Sequence, residues 1–161
     1  MQVFKFGGAS VNSADAVRNM ASIVREHGTL PLVVVVSAMG KTTNALEKLV
    51  PGATADSLER QQIFDGVKHY HEEIIRQLFV PLTDSRGAKV LSQEAHRKVK
   101  EKVSTYLELL RMRMESPATS YNYDYDQTVS LGELISTTIV SEYLNYIGIT
   151  NRWMDVRELI R

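Results

Sequence analysis

The chain has 161 residues, of which 43% are hydrophobic and 24% charged, proportions typical of a single globular domain with a sizeable core. Its 19 Lys and Arg residues balance 19 Asp and Glu residues, so no overall basic field favours nucleic acid or an anionic membrane as a partner. The absence of cysteine excludes disulfides, thiol catalysis and cysteine-based zinc sites. No apolar run approaches the roughly 20 residues of a membrane helix. We therefore expect a soluble protein of a reducing, cytoplasmic compartment.

The first predicted strand runs into a pair of glycines. Val3–Phe6 carries apolar and aromatic residues suited to a buried strand, Gly7 and Gly8 end it, and polar residues from Ser10 onward can begin a helix. Glycine amides can approach an anion closely, a helix N-terminus adds partial positive charge, and Lys5 could reach the same anion. These residues form a candidate phosphate site, although a tight turn beside a solvated lysine has the same pattern.

The next elements predict a β-α-β unit and an α/β fold. Apolar residues at helical spacing predict a helix that ends near Gly28, and the valine-rich run Leu32–Val36 predicts a strand covered on both faces, as in a parallel sheet. The apolar stripe of that helix is Val17, Met20, Ala21 and Val24. Ligands of parallel sheets bind beyond the carboxyl ends of the strands. The glycine loop (residues 7–12) and the serine loop (residues 37–44) should therefore face one ligand.

The sequence contains neither a complete P-loop motif nor the glycine motif of dinucleotide-binding folds. Gly40, Lys41 and Thr42 match the end of the P-loop pattern G-x-x-x-x-G-K-[ST]. The first glycine of that pattern would fall on Val35, inside the predicted strand, so no loop could wrap a phosphate there. The first turn also lacks the G-x-G-x-x-G pattern of dinucleotide-binding folds.

The middle of the chain, about residues 55–115, predicts a pair of helices inserted between strands. Two apolar stripes at helical spacing are separated by a break around Pro81–Gly87. The stripes are Ile63, Val67, Tyr70, Ile74 and Leu78, and then Ala95, Val99, Val103, Tyr106, Leu107, Leu110 and Met114. His69 and His71 cannot share a helical face, so no metal pair is expected and the histidines are interpreted as surface or packing residues.

The last third of the chain predicts a loop, a helix and a strand. Residues 116–127 are polar and rich in tyrosine, which indicates a loop with a possible short edge strand at Tyr121–Tyr125. A helix is predicted from about residue 129 to 147, and a third strand over Ile149–Met154. The final segment, Val156–Arg161, follows a capping aspartate. Glu133 lies near the predicted helix start, where acidic residues are common because they favour the helix dipole.

Four short motifs are distributed along the whole length of the chain. They are Lys-Phe-Gly-Gly-x-Ser at Lys5–Ser10, Val-Val-Val-Ser-Ala at Val34–Ala38 with Thr43-Asn44 following, Leu-Gly-Glu-Leu-Ile-Ser at Leu131–Ser136, and Trp-Met-Asp-Val-Arg at Trp153–Arg157. Their content and order resemble those of aspartate kinases, which belong to the amino-acid kinase family. Ala9 stands where the usual pattern has threonine, which removes one hydroxyl near the phosphates but leaves the backbone cradle.

The resemblance implies a fold, a reaction and its cofactors. The fold would be a three-layer αβα sandwich with a mainly parallel sheet. The reaction would be ATP-dependent phosphorylation of L-aspartate to 4-phospho-L-aspartate, the first step towards lysine, threonine and methionine, with Mg²⁺ held mainly through the nucleotide phosphates. No protein metal site is expected.

The resemblance also implies roles for individual residues. Lys5 would neutralise charge on the transferred γ-phosphoryl group, with the amides of Gly7 and Gly8 and the Ser10 side chain lining its path. The aspartate substrate would bind a second set of residues, which lie on the serine loop and on the predicted helix that contains Glu133. Ser37 and Thr43 would hydrogen-bond it, and Glu133 would pair with its α-ammonium group.

Catalytic domains of this family are considerably longer than 161 residues. The resemblance therefore covers an amino-acid-binding portion over residues 1–161, and the nucleotide-binding half and regulatory domains are expected outside it. We expect this chain alone to be inactive and to form homo-oligomers through uncovered sheet surface. Two other interpretations stay open, namely a ligand-binding or assembly module derived from the fold, and a kinase for another amino acid such as glutamate.

Overall fold

A computed structural model describes residues 1–158 of the chain. Its strands and α-helices are β1 (Gln2–Phe6), α1 (Ala14–His27), β2 (Leu32–Val36), α2 (Thr42–Glu47), α3 (Ser57–Leu78), α4 (Arg86–Glu115) and α5 (Tyr121–Tyr146). Two short 3-10 helices cover Gly8–Val11 and Val156–Glu158. The final segment predicted over Val156–Arg161 is seen only in part, because residues 159–161 lie outside the described residues.

The predicted β-α-β unit is confirmed. β1 and β2 pair in parallel, with Gln2 opposite Leu32 and Phe6 opposite Val36. α1 begins where the Ser13 hydroxyl accepts a hydrogen bond from the Ala16 amide at 3.1 Å, an N-cap that satisfies one free helix donor. The predicted apolar stripe of α1 is buried in the core.

The two helices in the middle of the chain are also present, and α4 packs against both α3 and α5. Asp56 and Ser85 cap their starts through side-chain oxygens. The buried members of the two predicted stripes are Val67, Ile74, Leu78, Val99, Val103, Leu107 and Leu110. Helical periodicity therefore identified the faces that build most of the core.

The predicted tyrosine-rich loop and edge strand are wrong at Tyr121–Tyr125, because α5 already begins at Tyr121. The buried Asp124 carboxylate accepts hydrogen bonds from the Thr119 amide at 2.7 Å and from the Thr119 hydroxyl at 2.9 Å. This local contact stabilises the start of the helix. Tyr121 and Tyr125 are one helical turn apart, and their ring centroids lie 5.8 Å from each other.

The predicted third strand, Ile149–Met154, is also wrong. This segment is not a strand, and the sheet in the described part of the chain has two strands. Asn151 instead binds α5. Its backbone amide donates to the Asn145 side-chain oxygen at 3.0 Å, and its side-chain oxygen accepts a hydrogen bond from the Ser141 hydroxyl at 2.7 Å. Polar groups of α5 therefore replace the strand partner.

The valine-rich strand is covered on one face, not on both as predicted. Phe6 and Val36 are buried, whereas Val3, Val33 and Val35 on the alternate positions are 55%, 44% and 45% exposed. The three-layer sandwich is thus seen only in part, as a small parallel sheet with one covered face. Within residues 1–158, no helix combines the length and apolar character that crossing a bilayer requires.

We expect this exposed valine face to make the 161-residue chain self-associate. An uncovered apolar sheet face with free strand edges favours pairing with a second copy, and a formal net charge of +0 gives the copies no repulsion. Light scattering coupled to size exclusion should give a mass above the 18.2 kDa of one chain. The double substitution Val33→Thr/Val35→Thr should shift that mass towards the monomer.

Val90→Thr is the matched control, since Val90 is 54% exposed on α4, a helix that packs against α3 and α5. It should leave the mass unchanged. A monomer for the unaltered chain at micromolar concentration, or an equal response to both variants, would contradict the expectation.

Candidate functional site

The glycine loop and the serine loop touch at the carboxyl ends of β1 and β2. The Ser37 amide donates to the Phe6 carbonyl at 3.0 Å, which continues the strand pairing by one residue. The Gly40 amide then donates to the Gly8 carbonyl at 3.0 Å. A Cβ atom on Gly8 would lie only 2.5 Å from the Ala38 carbonyl oxygen, so the approach requires glycine.

The predicted phosphate-binding residues lie along the glycine loop. Lys5 is exposed and pairs opposite Val35 in the sheet, and its ammonium group has no hydrogen bond or ion pair within the part of the chain that the structure describes. Gly7 is exposed and precedes the first 3-10 helix, with open space where a Cβ would be. Ser10 is exposed, and its amide donates to the Gly7 carbonyl at 2.9 Å. Solvent and ligands can therefore reach this loop.

The predicted aspartate-binding residues of the serine loop are half-buried. Ser37 follows β2, and its carbonyl accepts a hydrogen bond from the Ser136 hydroxyl of α5 at 2.8 Å. Thr43 lies in the first turn of α2. Its neighbour Thr42 is buried and donates to the Met39 carbonyl at 2.7 Å, which fixes the turn between the loop and the helix.

Glu133 lies in the middle of α5, not near a helix start as predicted, because the helix begins twelve positions earlier at Tyr121. The helix-dipole interpretation of this glutamate is therefore wrong. The adjacent Gly132 packs against the serine loop and α2, since a Cβ there would lie 3.1 Å from the Ala38 Cβ and 3.2 Å from a Leu46 methyl. Glu133 is half-buried, and no described residue hydrogen-bonds or pairs with its carboxylate.

One contact places the Glu133 turn next to Ser37, and a second supports the same turn. Ser136 follows Glu133 by three residues, on neighbouring positions of one helix face, and it holds the Ser37 carbonyl. On the other side, the Trp153 indole donates to the Thr137 hydroxyl at 2.9 Å, and that hydroxyl donates to the Glu133 carbonyl at 2.7 Å. The structure thus brings the serine loop and Glu133 together, and the tryptophan motif supports the same turn.

Arg60 supports α2 and was not identified from the sequence. Its guanidinium donates to the carbonyls of Leu49 at 2.8 Å, Val50 at 3.1 Å and Met114 at 2.8 Å. A cation at the end of a helix satisfies carbonyls that have no helical partner. Burial lowers the pKa of Arg60. Its helical position gave no signal, because arginines on long helices usually face solvent.

His71 of α3 packs against the serine loop. It is fully buried, its Nδ1 lies 2.7 Å from the Val67 carbonyl, and its Nε2 lies 3.5 Å from the Thr42 hydroxyl. Burial lowers the pKa of His71, opposed by the backbone hydrogen bond to Val67. The packing interpretation therefore fits His71, while its contact with the loop was not predicted.

A cavity beside α3 does not coincide with the predicted site. It is an open space of about 330 Å³ between the start of α1 and α3, with Asn12, His69, Tyr70 and Glu73 in its wall. None of the residues predicted to bind phosphate or aspartate lines it. Arg76 and Gln77 hydrogen-bond Glu73 and lower its pKa to about 2, so its carboxylate is already paired. We therefore locate the candidate site at the two loops.

Comparison with known proteins identifies the family of the chain. The model of the Amino acid kinase family matches residues 1–161. The chain is 32% identical to aspartokinase 1, chloroplastic, of Arabidopsis thaliana, over 98% of this chain and 26% of that protein. It is also 32% identical to lysine-sensitive aspartokinase 3 of Escherichia coli, over 99% of this chain and 32% of that protein.

Solved structures give the same relationship. Escherichia coli aspartokinase III in complex with aspartate and ADP superposes with a TM-score of 0.68 and 29% identity, over 98% of this chain and 31% of that one. The same enzyme in complex with lysine and aspartate gives equal values of TM-score and identity. The chain belongs to the amino acid kinase family, and its resemblance to aspartate kinases is confirmed. It spans about a quarter to a third of the length of these relatives.

His71 should make the stability of the chain depend on pH near neutrality. Because burial places the folded-state pKa below the ordinary value of 6.5, the unfolded chain takes up the proton first as the pH falls. The stability of the folded state is therefore fully present above about pH 6.5 and declines as the pH falls below it. His71→Gln should flatten that decline in melting temperature between about pH 7.5 and 5.5.

His69→Gln provides the control, because His69 is exposed two residues away on the same helix. This variant should keep the slope of the unaltered chain. Parallel melting curves for His71→Gln and the unaltered chain would show that His71 does not carry the effect.

Proposed function

We propose that this chain forms the aspartate-binding side and the phosphate-facing loop of an ATP-dependent aspartate kinase. The reaction moves the γ-phosphoryl group of ATP to the side-chain carboxylate of L-aspartate. The product is 4-phospho-L-aspartate, an intermediate of amino-acid biosynthesis. Because the relatives are three to four times as long, we further propose that residues outside this chain complete the nucleotide pocket. The 161 residues alone are then inactive.

Glu133 carries the proposal, because the residue is half-buried and its carboxylate has no partner among the described residues. A carboxylate in the middle of a helix gains nothing from the helix dipole, and one without a protein partner is free to bind a cationic group. The contact between Ser136 and the Ser37 carbonyl holds the Glu133 turn beside the serine loop. An amino-acid ammonium group bound by Glu133 would therefore leave the rest of the substrate within reach of Ser37 and Thr43.

The glycine loop suits the phosphoryl side of the reaction. Transfer of a phosphoryl group depends mainly on positioning and on stabilising charge that spreads over the phosphoryl oxygens. Lys5 offers an exposed ammonium group with no competing carboxylate in the described chain. The amides of Gly7 and Gly8 and the hydroxyl of Ser10 add donors along the same loop. Such a set acts without a covalent nucleophile.

Mg²⁺ fits this site as a companion of the nucleotide. When bound, it neutralises charge on the β- and γ-phosphate oxygens. Residues 1–158 contain no group of three or more histidine and acidic side chains placed to hold a metal ion. The proposal therefore assigns its ligands mainly to the nucleotide phosphates, and assigns Lys5 the role of a point charge beside them.

Glu133→Gln tests the proposal in the whole protein that contains this chain. The unaltered whole protein should release ADP from ATP when L-aspartate is present, and it should not do so with L-glutamate in its place. The substitution should raise the KM for aspartate about 10- to 150-fold, the equivalent of about 1.5–3 kcal/mol for a hydrogen bond to a charged group. The KM for ATP should stay nearly constant, because Glu133 is assigned to the other substrate.

Glu142→Gln is the matched control. Glu142 lies on the same helix and pairs with Lys98 at 3.1 Å and with Lys102. Its substitution should lower the melting temperature and leave both KM values unchanged. A normal KM for aspartate in Glu133→Gln would refute the role of Glu133, and ADP release with glutamate alone would refute the substrate.

A further inference from the structure

Tyr70 of α3 reaches the point at which the two loops meet. Its hydroxyl donates to the Asn12 carbonyl at 2.7 Å, although the two residues are 58 positions apart. Asn12 is the residue that ends the 3-10 helix of the glycine loop. Burial raises the pKa of Tyr70, so the hydroxyl keeps its proton and remains a donor throughout the neutral range. One side chain of α3 thus holds the end of the glycine loop.

The same hydroxyl lies against the serine loop. Gly40 has a φ of +57°, and a Cβ atom there would lie 2.7 Å from the Tyr70 Oη and 3.6 Å from the Asn12 Cβ. Gly40 is also the residue whose amide donates to the Gly8 carbonyl. The phenol therefore lies where the two loops meet, hydrogen-bonded to the glycine loop at Asn12 and close to the serine loop at Gly40.

α3 is itself firmly fixed at this position. The next residue, His71, is fully buried against Thr42, and its ring lies edge-on to the Tyr70 ring with centroids 5.0 Å apart. Ile74 and Ile75, one turn further along, are buried in the core. The backbone that carries Tyr70 thus rests on the core and not on the loops that it touches.

We propose that Tyr70 is a positioning residue that sets the spacing between the glycine loop and the serine loop. The catalytic part of this inference rests on the proposed function, in which one loop faces the phosphoryl donor and the other faces the acceptor. Bond formation requires the reacting atoms about 3–3.5 Å apart, so an error in loop spacing affects the transfer step more than the binding of either substrate. Tyr70 touches no substrate in this account.

Tyr70→Phe removes only the hydroxyl, and amide hydrogen exchange of the 161-residue chain measures the result directly. Exchange at the Gly40 amide should become about fivefold faster, the change in opening equilibrium that corresponds to one typical hydrogen bond. Tyr146→Phe is a matched control, because the Tyr146 hydroxyl likewise donates to a backbone carbonyl, that of Val80, away from both loops. It should leave exchange at Gly40 unchanged.

Kinetics of the whole protein test the catalytic part. Tyr70→Phe should lower kcat with little change in the KM for aspartate, and Tyr146→Phe should change neither. Unaltered exchange at Gly40 in Tyr70→Phe would overturn the inference whatever the protein catalyses. Faster exchange with an unchanged kcat would overturn the catalytic role of the spacing. If the whole protein proved to have no aspartate kinase activity, the proposed function would fail, while the exchange result would still decide whether Tyr70 sets the spacing.

Discussion

The hydrogen bond from the Gly40 amide to the Gly8 carbonyl is the contact on which the candidate site depends. It joins two loops that follow neighbouring parallel strands, and the bond is possible because Gly8 has no Cβ to meet the Ala38 carbonyl. Everything assigned to the phosphoryl side lies on one of these loops or at its base, and the serine and threonine assigned to aspartate lie on the other. In the proposed function, the distance between the two substrates would therefore depend on a backbone contact, which varies less than contact between flexible side chains.

Helices hold this contact from two sides. α5 binds the serine loop through Ser136 and packs Gly132 against it, which places Glu133 beside Ser37. α3 lies beneath the loops and contacts them through Tyr70 and His71. The long helices in the middle of the chain therefore have a role beyond enclosing a core. They provide the side chains that contact the two loops and hold them in position.

Sequence reasoning succeeded where one local pattern determines the structure. Short apolar runs predicted β1 and β2, the glycine pair predicted the end of β1, and apolar periodicity predicted the buried faces of α1, α3 and α4. It failed at Tyr121–Tyr125, where alternating tyrosines indicate a strand while a buried Asp124 stabilises a helix start. It failed again at Ile149–Met154, since α5 supplies the hydrogen bonds that a strand neighbour would have supplied.

At the candidate site, too, some residues could be predicted from local sequence patterns and others could not. Motifs identified Lys5, Ser37 and Glu133, because their residue types recur at short spacing in aspartate kinases. Motifs could not identify Arg60 or Tyr70, which act across more than fifty residues or through backbone carbonyls. Such carbonyl acceptors leave no trace in the sequence, since every residue has one. Three-dimensional contact was needed to find them.

The free energy of unfolding of Gly8→Ala, set against that of Gly7→Ala, tests the central claim most directly. Neither glycine has a positive φ, so alanine is compatible with both backbones, but only the Cβ at position 8 would meet a carbonyl, at 2.5 Å. We predict a loss of about 1–3 kcal/mol for Gly8→Ala, the usual cost of overpacking, and a change within about 0.5 kcal/mol for Gly7→Ala. Equal and small effects at both positions would contradict the account, because the loops would then not depend on their close approach.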